Sequence, residues 1–127
     1  MNREIEEELK KSYVEAAQTV YDQWYQDEDG VDVELGTGGI CSLIADEAIG
    51  YFQQEGYDAW QTGDTEHAWV IVEIDGTVLE VDIPHNIYEQ GGGYNWTKIP
   101  DVEFTVDNVL VWENKDVDTV LETCHLM

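Results

Sequence analysis

The sequence predicts an α+β domain in which two helices pack on an antiparallel sheet, and three observations predict it. Apolar residues recur at three- and four-residue steps over residues 4–26 and again from Ile40 to Gln54, which is the spacing of one buried helix face. Two apolar runs flank Asp75-Gly76, a strong signal for a two-residue hairpin. The chain has 127 residues and 43% hydrophobic residues, enough for a packed core, with one domain as the default.

In the first helix the stripe runs through Ile5, Leu9, Tyr13, Ala16 or Ala17, Val20 and Trp24. Glu4, Glu6, Glu7 and Glu8 sit at the positive end of the helix dipole, with Lys10 and Lys11 following at pairing distance. Asp27-Glu28-Asp29-Gly30 has the look of a calcium loop. Placing Gly30 at position six puts Tyr25 at one and Gly36 at twelve, so the EF-hand pattern fails and a helix stop remains. Val31 to Leu35 alternates as a short strand would, and Gly36-Thr37-Gly38-Gly39 breaks the chain. The second helix follows, with Cys41, Ile44, Ala45, Ala48, Ile49 and Phe52 on one face and Gly56 as its stop.

Tyr57 to Gln61 reads as a strand, residues 62–65 as a turn, His67 to Ile74 as a central strand apolar on both faces, and Thr77 to Ile83 as its hairpin partner. Gly91-Gly92-Gly93, with Tyr88, Tyr94 and Trp96 around it, lacks a P-loop pattern and reads as a turn or lid. Val102 to Trp112 supplies one or two more strands with a break near Asp107-Asn108, and Asp116 to Cys124 a short terminal helix.

The charge narrows the function. There are 29 acidic residues against 5 Lys+Arg, a net charge of -24, so the surface repels nucleic acid and anionic lipid. Three readings of that charge stay open: plain solubility, adaptation to high salt, and mimicry of nucleic acid toward a basic protein partner. No apolar run is long enough to span a membrane, and Met1 to Glu6 has no signal-peptide core, which points to the cytoplasm. Two cysteines, Cys41 and Cys124, make no disulfide framework and are expected to be free thiols.

Cys41 falls in the first turn of the second helix, and cysteine nucleophiles need a base and an acceptor that orients the base. The unpaired N–H groups and dipole there favour a thiolate by about 0.3–1 kcal/mol, up to about 2. That alone does not ionise a thiol at neutral pH, so a protonated imidazole must stand beside it. The hairpin selects the imidazole. With a two-residue loop, Ile74 pairs with Thr77, Trp69 faces Asp82, and His67, Trp69, Asp82 and Pro84 share one face. Asp82 is then the diagonal neighbour of His67, whereas Glu80 faces Ile71 and lies too far along. A three-residue loop would instead pair His67 with His85. A core cysteine, a structural histidine and a strand-ending aspartate are the plain readings of the same residues. A zinc site lacks a fourth ligand, and neither metal nor cofactor is expected.

Gly39-Ile40-Cys41 with Ala45, His67-Ala68-Trp69-Val70 and Val81-Asp82, in that order, resemble the transglutaminase-like branch of the papain-like cysteine enzymes over about residues 38–84. The resemblance implies a minimal papain-like core, with Cys41 as nucleophile, His67 as base and Asp82 as its orienter. It further implies an oxyanion hole using the backbone N–H of Cys41, with Trp24 or Tyr25 as second donor, and Gly39, Trp69 and Tyr94 beside the substrate. The substrate would be a peptide or protein amide, or an ester. A longer stretch, from Gly39 through Asp82-Ile83-Pro84 to Tyr94, is also similar to small bacteriophage-encoded proteins. The other expectation is a non-enzymatic acidic interaction protein.

Self-repulsion at -24 should destabilise the fold at low ionic strength, since screening reaches only about 10 Å at 0.1 M salt. Thermal melts are expected to rise from millimolar to molar potassium chloride; a flat or falling Tm would show that the surface charge does not limit stability.

Overall fold

The computed structural model describes residues 3–28, 40–63, 67–84 and 103–114, without the side chains of residues 25–28. Helix α1 spans Arg3–Glu28 and α2 spans Ile40–Gln54. Four strands follow: β1 (Asp58–Gly63), β2 (Ala68–Ile74), β3 (Thr77–Asp82) and β4 (Leu110–Asn114). They form one antiparallel sheet in sequence order, with β2 and β3 in the middle. The α+β class with two helices on an antiparallel sheet is therefore observed.

The helix faces form where the spacing puts them, with one shift. Leu9, Tyr13, Ala16 and Ala17 of α1 are buried and Ile5, Val20 and Trp24 pack against the core partly buried, but the fully buried residue of the next turn is Tyr21. Tyr21 is drawn inward by Phe104, whose ring meets it edge-on at 5.6 Å. The backbone N–H of Phe104 also donates to Gln18 Oε1 at 2.8 Å, which ties the segment before β4 to α1. α2 buries Ile40, Ile44, Ala45, Ala48 and Phe52 and packs over β1 and β2. The small Ala16, Ala17, Ala45 and Ala48 belong to the core shared by the two helices, where short side chains let helix axes approach.

α2 ends as its sequence dictates. Gly56 takes φ 93°, its N–H donates to Gln53 O, and the N–H of Tyr57 donates to Phe52 O. This is a Schellman motif, which only glycine closes without strain.

The β2–β3 hairpin has the two-residue loop. Ile74 pairs with Thr77, and Asp75 and Gly76 have φ 51° and 80°, the signs of a type I′ turn. β1 runs two residues past the expected Gln61, to Gly63, because it pairs with β2 as far as Ala68. β2 begins at Ala68, so His67 lies just outside the ladder. Near Asp107-Asn108 the expected break is a 3₁₀ turn, Val106–Asn108. Only the part after it is a strand; residues 103–105 belong to no strand. The strand at Val31 to Leu35, the Gly36–Gly39 turn, the 86–96 loop and the helix at 116–124 fall outside the described residues.

The sheet has two unlike faces. Ala59, Val70, Val72, Leu79 and Val81 join the helix-side core. Ile71 and Val78 are just as buried yet belong to no part of that core, so they face the other way. Among the described residues no helix is long and apolar enough to cross a membrane.

Glu55, at the α2 terminus, accepts a hydrogen bond from Ser12 of α1. Burial pushes its carboxyl above the ordinary value of 4.5, and the charges of Glu8 and Glu15 add to this against the Ser12 bond. A carboxyl raised in the fold contributes stability below its ordinary range and loses it as pH rises through the raised value. Ionised Glu55 is therefore a liability at neutral pH. Glu55→Gln, which keeps an acceptor for Ser12, is expected to raise Tm at pH 7. The gain should shrink as pH falls toward 4.5, and a gain independent of pH would show that ionisation is not its source.

Candidate active site

The hairpin register decides which side chains meet. Val70 pairs with Val81 and Ile71 with Glu80, so one step further Trp69 stands opposite Asp82. His67, Trp69, Glu80 and Asp82 therefore share the face turned away from the helices. His67 Nε2 lies 2.7 Å from Asp82 Oδ1, and both side chains are about nine-tenths buried, 12% and 11% exposed. A carboxylate only accepts, so Nε2 carries a proton and donates it to Asp82, while Nδ1 is shielded from solvent. The His67 ring also lies against Trp69, with centroids 5.6 Å apart and planes at 30°.

A second buried carboxylate lies on the same face. Glu80 Oε1 accepts from Trp69 Nε1 at 2.9 Å, and Oε2 accepts from Trp112 Nε1 at 2.8 Å and Asn114 Nδ2 at 3.0 Å. Three N–H donors replace the water that burial removes, and bonds to a charged acceptor stabilise by about 1.5–3 kcal/mol each. With its oxygens so occupied, Glu80 does not compete with Asp82 for the imidazole.

Cys41 is half-buried in the first turn of α2 and packs against the helix-side core. That turn is held toward the His67 end of the sheet by Gln61. Its Nε2 donates to both the carbonyl and the hydroxyl of Ser42 at 3.0 Å. Gln61 pairs with Val70, and two residues later Gly63 pairs with Ala68, the neighbour of His67. Gly63 has φ 144°, and a Cβ there would stand 2.2 Å from the carbonyl oxygen of His67. The glycine lets the two strands close at the end where His67 enters β2. Cys41 and the His67–Asp82 pair are thus at one end of the sheet, the cysteine on the helix side and the pair on the other.

The remaining expected residues divide. Trp69 is beside His67, but its N–H is engaged by Glu80, so it acts as a wall and not as an oxyanion donor. Trp24 packs on Tyr21 at 5.5 Å and lines a groove with Leu43 on the surface of α1 and α2. The Tyr25 side chain, Gly39 and Tyr94 lie outside the described residues. Glu80, Trp112, Asn114 and Gln61 were not among the expected site residues. The alternation Val78, Glu80, Asp82 in an apolar strand signalled a polar face, but the pairing of Glu80 with Trp112 spans 32 residues and has no local signature. Among the described residues no group of three His, Cys, Asp or Glu side chains is placed to hold a metal ion.

Comparison with protein-family models, curated proteins and solved structures found no match to this chain.

Gly63→Ala is expected to lower stability by about 1–3 kcal/mol, because it combines an unfavourable φ with a clash against backbone that no rotamer relieves. Denaturant melts measure this, and the His67 ring resonances should shift with it. An alanine accommodated at no loss would mean that the strands can part here freely.

Proposed function

We propose that the chain is a cysteine-dependent hydrolase or acyltransferase of papain-like, transglutaminase-like architecture, acting on an amide or ester carbonyl. The observation that carries this reading is the buried His67–Asp82 contact at the end of the sheet to which Gln61 holds the first turn of α2. Cys41 is the nucleophile, His67 the base and Asp82 its orienter. The thiol proton passes to His67 Nδ1, and Sγ attacks the carbonyl carbon. The oxygen of the tetrahedral adduct is met by the backbone N–H of Cys41 at the helix start. His67 then gives the proton to the leaving amine or alcohol as the C–N or C–O bond breaks, which leaves a thioester. Water or an amine, deprotonated by the same imidazole, releases the acyl group and restores the thiol.

A second reading has its own observation. A groove of about 500 Å³ on α1 and α2 is walled by Val20, Trp24 and Leu43 and edged by Asp46 and Glu47. Leu43 is 57% exposed, and the basic residues among those described, Arg3, Lys10 and Lys11, all lie in the first turns of α1. An acidic rim around an apolar floor suits a cationic segment of a partner protein, with or without catalysis.

Alkylation separates the two. Under the enzyme reading Cys41 reacts with iodoacetamide at pH 6 much faster than an ordinary thiol, which is below about one per cent ionised there. His67→Ala is expected to slow it at least tenfold, Asp82→Asn by less, since it disturbs the base without removing it. Mass spectrometry of Cys41 against Cys124 in the same folded sample is the measurement. Equal rates at pH 6 would sink the enzyme reading and leave the acidic interaction protein.

A further inference from the structure

His67 directly precedes β2, and Asp82 is the last residue of β3. The pair thus sits where strands fray, yet it is nearly buried. The imidazole is held on its Nε2 edge by Asp82. Trp69 adds a second hold: it lies one step beyond the Val70–Val81 pair, and its indole lies against the His67 ring. An indole on a strand has several rotamers, and the one seen is tied down at its far end by the N–H bond to Glu80 Oε1. Glu80 is fixed in turn from the other side by Trp112 and Asn114 of β4. Three strands thereby converge on one carboxylate, whose outlet toward the site is Trp69.

We propose that Glu80 is a positioning residue for the His67–Asp82 pair and acts through Trp69. It touches no reacting atom. The role rests on the reading of His67 as the base, but the brace itself is a property of the ring and is measurable without the cysteine.

The test uses the full chain with Glu80→Gln, Trp69→Phe and the double variant. Glutamine keeps the volume and can accept through one atom only, so it cannot satisfy donors on both sides of the strand. Phenylalanine keeps a ring beside His67 and removes the N–H. Each single variant is expected to slow Cys41 alkylation at pH 6 by about threefold to tenfold, the scale of one lost hydrogen bond. The double variant should be no slower than Trp69→Phe alone, since both break one link. Val72→Ala, on the helix side of the sheet, serves as a control for lost stability: it should lower Tm without slowing alkylation. The second measurement is the His67 Nε2–H resonance in nitrogen-proton spectra, whose exchange with water should speed up in Glu80→Gln and Trp69→Phe. If that resonance and its exchange are unchanged in folded Glu80→Gln, the brace does not exist and the proposal falls. The same follows if Val72→Ala slows alkylation as much as Glu80→Gln does. If wild-type Cys41 proves unactivated while the resonance responds as expected, the enzyme reading fails and the brace stands as a feature of the ring alone.

Discussion

The type I′ turn at Asp75-Gly76 sets the register on which everything near His67 depends. Two residues with positive φ let Ile74 pair with Thr77, and the period of two does the rest. A single extra residue in that turn would move Glu80 and Asp82 to the helix side and bring Leu79 and Val81 out. It would bury two carboxylates among Ala45, Ala48 and Phe52, where no donor waits for them. The turn thus fixes the separation of an apolar face from a polar one, and the helices can pack only on the first.

The polar face is itself enclosed, which is the costly part of the design. Glu80 and Asp82 are 9% and 7% exposed, only two residues apart on one strand, and both acidic. Like charges this close are tolerated when each has its own compensation. Glu80 takes neutral N–H donors from β2 and β4, and Asp82 takes the imidazole. The division follows from distance along the strand, because Glu80 reaches across to Trp112 while Asp82 reaches back to a residue outside the ladder. Three donors can stabilise a carboxylate in place, but only a titratable base such as imidazole can exchange a proton. Asp82 is therefore the carboxylate that the proposed proton transfer would use.

The sequence made the helices, the hairpin and the His67–Asp82 contact legible because each is local. Helical spacing reports a face, Gly56 a stop and Asp75-Gly76 a register, and the diagonal from His67 to Asp82 needs nothing beyond that register. Tyr21 was missed because its burial depends on Phe104, 83 residues away. Glu80 was set aside as a partner for His67, and its own donors were not foreseen, since those on β4 come from a pairing no local pattern encodes. Gln61 gave no signal, because a glutamine in a strand is ordinary until Ser42 is seen beside it.

The acidity of the chain bears on how a thiol here could be activated at all. A field from a net charge of -24 raises the energy of a lone thiolate and lowers that of a lone imidazolium. The two together are a neutral pair, on which a smooth external field acts only weakly. The surface charge therefore opposes activation of Cys41 by remote means and leaves activation by direct contact almost untouched. The described lysines and arginine sit in the first turns of α1, where Glu6 and Glu7 pair with Lys10 and Arg3, so none serves as a remote cation for the sulfur. The helix dipole is too small for the task by itself. Among the described residues the imidazole of His67, held by Asp82 on one edge with Trp69 beside it, is the group on which the proposed activation of Cys41 rests.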